Sequence, residues 1–245
     1  MTITEDALLD GRVSFRQFRD GYRAGMDAAL LAAACDARPG DRVLDLGCGA
    51  GAVMLAAAAR RPGARFVGLE RDEATVALAR ENIAANGMDD RVMAQVFDLA
   101  APLSKLGLPP FDAALANPPF FDDPAALRGP AHAKRGAWLA DAGLEGWMMV
   151  LIRAVREGGT ITLVHRADRL GDILGALAAK AGSVRIRPVQ PKAGAPAKRV
   201  IVRAIKTGKA PLVLLPALIL HDDSGGKHTA EAEAIFRGGA LGWDG

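Results

Sequence analysis

The chain has 245 residues, half of them hydrophobic, and a formal net charge of +3, which is ample apolar material for a globular α/β core. No window approaches the roughly 18 uninterrupted apolar residues of a membrane span, and the acidic opening "MTITEDALLDGR" lacks the basic-then-apolar order of a signal peptide. Cys35 and Cys48 are the only cysteines, too few for a disulfide framework, so a reducing cytoplasm and no membrane partner are expected.

In chain order, "GRVSFRQFRDGYRAG" interleaves Arg12, Arg16, Arg19 and Arg23 with Phe15, Phe18 and Tyr22. Cations meet phosphates and rings stack on bases, so this composition suits nucleic acid as well as it suits a solvated face. "MDAALLAAACDA" (26–37) predicts a helix and "DRVLDLG" (41–47) a buried strand. "AVMLAAAAR" is a helix, "ARFVGLE" (64–70) a strand, and "DEATVALARENIAANG" a helix closed by Asn-Gly. Strands follow at "RVMAQVFD" (91–98) and "FDAALAN" (111–117), then the helix "LEGWMMVLIRAVREGG" and the strand "TITLVHR" (160–166). Strands alternating with helices predict an α/β fold, a mostly parallel Rossmann-like sheet with helices on both faces.

After a helix at 168–181 the pattern changes. "SVRIRPVQ" and "KRVIVRAIK", joined by the loop "PKAGAPA", predict an antiparallel strand pair. "LVLLPALILHD" reads as an extra strand and "TAEAEAIFRGG" as a last helix. No linker divides the chain, so residues 1–245 are expected to form one domain, with 1–38 as an N-terminal cap on a core at 39–245. From Ser183 to Leu220 there is no Asp or Glu, while Arg185, Arg187, Lys192, Lys198, Arg199, Arg203, Lys206 and Lys209 all fall there. These basic strands predict a second electrostatic footprint for nucleic acid.

Two stretches carry chemistry. In "DLGCGAG", Gly47, Gly49 and Gly51 permit a sharp turn into a helix N-terminus, a seat for a nucleotide-like group. Asp45 precedes the turn, Glu70 ends the next strand and Asp98 the one after; this carboxyl edge is where open α/β sheets bind ligands. A carboxylate in the place of Glu70 can accept both ribose hydroxyls. Asp98 can accept from an adenine amine, and Asp45 can favour an ammonium or a sulfonium. The spacing is G-x-G-x-G, not the G-x-G-x-x-G of dinucleotide folds, which argues against a nucleotide-binding oxidoreductase. The second stretch is Asn117-Pro118-Pro119-Phe120, at the end of the fourth strand. An amino nitrogen conjugated to a π system is a poor nucleophile. The Asn117 oxygen and the Pro118 carbonyl can each accept one of its N–H groups, while Pro119 fixes the turn and Phe120 offers a stacking face.

Together these stretches resemble the class I S-adenosylmethionine-dependent methyltransferases that carry N-P-P-[FY] and act on amino groups. The resemblance implies S-adenosylmethionine as cofactor. "GYRAGMDAALLAAA", "ANPPFF" and "LILHDDSGGKHTAEAEAIFRGG" are similar in particular to bacterial tRNA adenine-N6 methyltransferases acting on adenine 37 of a valine tRNA. That resemblance implies tRNA as substrate, Arg23 and Asp27 over the cofactor, and phosphate contacts from His132, Lys134 and Arg135 in the substrate-side loop. With these stand Arg16, Arg19, Lys192, Lys198 and Arg199 as RNA-binding candidates. Cys48 reads as a packing residue and His165 as structural, and no Cys/His cluster suggests a metal. A protein-glutamine methyltransferase, a ribosomal guanine-N2 methyltransferase and a non-catalytic RNA-binding module stand as alternatives. The glutamine enzymes carry a helical domain before the core, and only about 40 residues precede the first core strand here. Monomer and homodimer both stay open.

Overall fold

The computed structural model describes residues 2–19, 23–119, 137–222 and 227–243, with side chains from Gly143 onward in the segment that resumes at 137. The strands are β1 (Ile3–Leu8), β2 (Val13–Phe18), β3 (Arg42–Leu46), β4 (Arg65–Glu70), β5 (Val92–Val96), β6 (Phe111–Ala116), β7 (Val155–Arg166), β8 (Ala181–Lys192), β9 (Arg199–Lys206), β10 (Val213–Leu214) and β11 (Leu218–His221). The helices are α1 (Met26–Ala34), α2 (Ala52–Arg60), α3 (Glu73–Ala85), α4 (Ala137–Ala154), α5 (Leu170–Leu177) and α6 (Ala230–Phe236).

The large sheet has the order β10-β8-β9-β7-β6-β3-β4-β5, with β11 also on β8. Its pairs β3–β4, β3–β6, β4–β5 and β6–β7 are parallel, and β9 runs antiparallel to both β7 and β8. This is the predicted arrangement. Alternation along each strand divides the core. Val43 and Phe66 join the cluster under α1, α2 and α3, while Leu44, Leu46, Val67 and Leu69 join the one under α4 and α5.

The structure departs from the sequence reading in three places. The predicted helix ending "AVREGG" stops at Ala154, because Val155 is drawn into the sheet opposite Phe111. At its other end Gly143 leaves helical geometry (φ 53°, ψ −169°). The apolar stretch 212–222 divides at Pro216, which has no N–H to give a ladder, into two short strands that each run parallel to β8. The ring-and-arginine stretch near the N-terminus forms an antiparallel hairpin, β1–β2, separate from the large sheet.

That hairpin is fastened by two asparagines. Asn82 is 1% exposed; its Oδ1 accepts from Arg16 N (3.0 Å) and its Nδ2 donates to Arg16 O (2.8 Å) and Ala50 O (2.9 Å). Asn86 pairs the same way with Ser14, accepting from its N (3.0 Å) and donating to its O (2.7 Å). One turn apart, on α3 and at its C-terminal cap, the two side chains complete the free edge of β2 as a neighbouring strand would. Asn82→Ala should therefore cost about 2–4 kcal/mol, since three part-buried backbone groups lose their partner at once. Urea unfolding checks this against Lys209→Ala, an exposed position expected to stay within about 0.5 kcal/mol of wild type.

Candidate active site

The turn from β3 into α2 takes five residues, and Gly47 (φ 72°), Gly49 (φ 55°) and Gly51 (φ 97°) all lie in the left-handed region. Side chains are strained there, so the spacing is a backbone requirement. Gly47 N and Cys48 N both donate to Leu69 O (2.8 and 3.0 Å), docking the turn on β4. Above Gly49, a methyl group would meet nothing within 4 Å among the described residues.

Register places the other groups. Leu46 of β3 pairs with Ala116 of β6, so Gly47 and Asn117 are the next residues out on adjacent parallel strands. Glu70 ends β4 opposite Val96 of β5, and Asp98 follows two residues later. Asn117, the glycine turn, Glu70 and Asp98 thus lie in sequence along one carboxyl edge, as the residue pattern led us to expect. Asn117 and Pro119 are half-buried and Pro118 is buried; Phe120, His132, Lys134 and Arg135 lie outside the described residues.

Glu70 binds the structure tightly. Its Oε1 accepts from Arg71 N (2.8 Å) and Asp72 N (3.0 Å), and its Oε2 from Gly49 N (3.3 Å). Three donors leave carboxylate lone pairs for a further hydroxyl. Beside it, Gly47, Leu69, Arg71, Phe97, Leu99 and Trp147 line a depression. An apolar wall with a carboxylate at its rim fits an adenosine, base against the wall and ribose toward the acid. Asp98 is exposed and accepts from Ala100 N (2.9 Å).

Asp45 requires a correction. It shares the face of Val43, not that of Leu46, so it points beneath α2 and away from the cleft. It is 1% exposed, and its Oδ2 accepts from Met54 N (3.1 Å), an otherwise unpaired amide in the first turn of α2. Its role is to hold the turn from below. Burial pushes this carboxyl up to about 7, with the Met54 amide opposing and Glu70 adding to the rise.

The charged groups of the N-terminal side are engaged within the fold. Arg23 donates to Thr4 Oγ1 (2.9 Å) and Asp6 Oδ2 (3.0 Å) of the hairpin, while Asp27 in the first turn of α1 pairs with Arg199 at 3.0 Å. The arginine expected on RNA is thus held by the acid expected on the cofactor. Arg16 binds Glu81 at 3.0 Å. Of the basic strand residues, Arg187 is buried and donates to Pro216 O (3.1 Å) and Gly242 O (2.8 Å), Arg185 binds Trp243 O, Arg203 pairs with Asp36 at 2.5 Å, and Lys206 donates to Val155 O (2.9 Å). The acid-free stretch is therefore largely internal wiring that ties the C-terminal segment to the sheet, rather than a basic face. Lys192, Lys198 and Arg19 are exposed. The pairs Arg166–Arg199 and Val189–Arg199 put the β8–β9 loop at the same carboxyl edge as Asn117.

Cys48 and His165 are packing groups: burial pushes the thiol well up and the imidazole down to about 4. Trp147, Phe97 and Leu99 escaped the sequence reading because each passes for an ordinary core residue in its own element. The one signal for Trp147 is Gly47, where a Cβ would lie 2.3 Å from the indole Cη2. Among the described residues no group of His, Cys, Asp and Glu could hold a metal, and no helix is long and apolar enough to cross a membrane.

Residues 23–132 match the family model of the methyltransferase small domain. The tRNA1(Val) (adenine(37)-N6)-methyltransferase of Actinobacillus succinogenes is 31% identical over 78% of this chain and 80% of its own length. A release factor glutamine methyltransferase of Chlorobaculum tepidum is 27% identical over 64% of this chain and 56% of its own. The crystal structure of a predicted O-methyltransferase, protein Atu636 of Agrobacterium tumefaciens, superposes with a TM-score of 0.74, at 27% identity, over 88% of this chain and 98% of that one.

Asp45 yields a test of the turn. A carboxyl raised above its unfolded value near 3.9 contributes stability that is full below about pH 4 and is lost as pH rises through about 7. Asp45→Asn keeps an acceptor for Met54 N and does not titrate, so it should gain on wild type across that window. Thermal unfolding between pH 4 and 8 measures the difference; a constant gap would mean that Asp45 is already ionised at pH 4. With the glycine turn, Glu70, Asp98 and Asn117-Pro118-Pro119 on one sheet edge and with the relatives just given, the chain belongs to the class I S-adenosylmethionine-dependent methyltransferases of the Asn-Pro-Pro-[Phe/Tyr] amino-methyltransferase group.

Proposed function

We propose that this methyltransferase acts on the exocyclic N6 of an unpaired adenine in tRNA, the adenine next to the anticodon. The observation that carries the reading is the pairing of Leu46 with Ala116, which makes Gly47 and Asn117 the next residues on adjacent strands and so supports an amide oxygen and a proline-fixed carbonyl as acceptors beside the cofactor cleft. The cofactor supplies an electrophilic methyl group. Asn117 Oδ1 accepts one N–H of the adenine amino group and Pro118 O the other, which orients the nitrogen and frees its lone pair. Phe120 supplies a face for the base, and Glu70 and Asp98 hold the ribose and adenine of the cofactor. Such a site acts by preorganised acceptors and needs no strong base.

The relatives named as tRNA1(Val) methyltransferases support RNA over protein as substrate. So does the site edge, where Lys192 and Lys198 at the β8–β9 connection stand exposed. A loop base can be splayed out at little cost, whereas a paired base must first be unstacked. Whole tRNA should be methylated faster than a short loop fragment, because the cations extend beyond one nucleotide.

Two measurements bear on this. Asn117→Ala should keep its affinity for S-adenosylhomocysteine while methyl transfer to tRNA falls by at least about a hundredfold; near wild-type turnover would remove the assigned role. Removing Lys192 and Lys198 together should flatten the slope of log K against log salt for tRNA by roughly 1 per lysine. An unchanged slope would put the phosphates elsewhere.

A further inference from the structure

Trp147 is 4% exposed and forms one wall of the cleft that holds Glu70, Phe97 and Leu99. The benzene end of its indole is pressed on the first glycine of the turn, where no Cβ could be accommodated. Its Nε1–H is buried and has no acceptor among the described residues. Trp243 shows the usual arrangement, its Nε1 donating to Ala34 O at 2.9 Å. Buried indole N–H groups normally find a partner, and one left without an acceptor carries a desolvation cost. Trp147 belongs both to the core and to the lining of the cleft, and its unpaired donor is accounted for if the acceptor arrives with the ligand.

We propose that Trp147 is a cofactor-binding residue: its indole N–H donates to an oxygen or ring nitrogen of the bound cofactor, while its ring braces the glycine turn at Gly47. The assignment rests on the S-adenosylmethionine reading of the cleft. It also gives Gly47 a second task, since the glycine admits the ring as well as making the turn.

Trp147→Phe keeps an aromatic side chain in the wall but deletes the donor together with the outer benzo carbons that touch Gly47. By calorimetry, its affinity for S-adenosylhomocysteine should fall about tenfold. The ligand-free variant should melt lower than wild type, because the missing benzo carbons leave a void in the core. A ring that served packing alone would give that lower melting temperature with affinity unchanged. In nitrogen-15-labelled wild-type protein, the indole resonance of Trp147, assigned with Trp138→Phe and Trp243→Phe, should move downfield when S-adenosylhomocysteine is added. Unchanged affinity in Trp147→Phe, or an indole resonance that does not move, would overturn the proposal. Failure of the wild-type protein to bind S-adenosylhomocysteine would overturn the cofactor reading with it.

Discussion

The geometry of the site depends on one backbone junction, where Leu69 O accepts from Gly47 N and Cys48 N. These two bonds clamp the glycine turn to the end of β4. The carboxylate of Glu70, the next residue, returns a bond to Gly49 N, and Asp45 holds the start of α2 from below. The turn is thus gripped at its first two residues and at its middle one, and the helix it enters is held at Met54. A five-residue reversal with three left-handed positions is costly to order for an open chain; here it is over-determined.

A second set of bonds carries order from that turn outward. Ala50 O accepts from Asn82, which also holds both backbone groups of Arg16. Gln17 then binds Asp6 and Ala24 N, and Asp6 binds Arg23. The hairpin, the entry to α1 and the glycine turn are therefore mechanically one unit, although they are far apart in sequence.

Much of this was legible in the residues because it is local. Positive φ leaves its mark as glycine, a parallel strand as an apolar run, and a strand end as the acid or Asn-Pro that follows it. Gly47, Gly49, Gly51, Glu70, Asp98 and Asn117 were found that way, and the antiparallel pair β8–β9 with them. What escaped depends on partners distant in the chain. The hairpin β1–β2 has no strong period, and its outer edge is completed by side chains from α3. Asp45 lies one residue from the cleft side, and strand parity turns it under the helix. Charge misled most: a run without acids looks like a nucleic-acid face, yet Arg185 and Arg187 spend their donors on carbonyls of the C-terminal segment, and Arg199 and Arg203 on Asp27 and Asp36. Sequence reports that charges are present; only the fold reports which ones face water.

The central claim is that an amide oxygen set beside the glycine turn presents a tRNA adenine for N6 methylation. It is tested most directly by nucleoside mass spectrometry of tRNA from cells that lack this gene, complemented with either wild type or Asn117→Ala. Loss of N6-methyladenosine from one tRNA species, restored by wild type and not by Asn117→Ala, is the result the account requires. Unchanged tRNA together with an unmethylated release-factor glutamine would contradict it and assign the site to a protein amide.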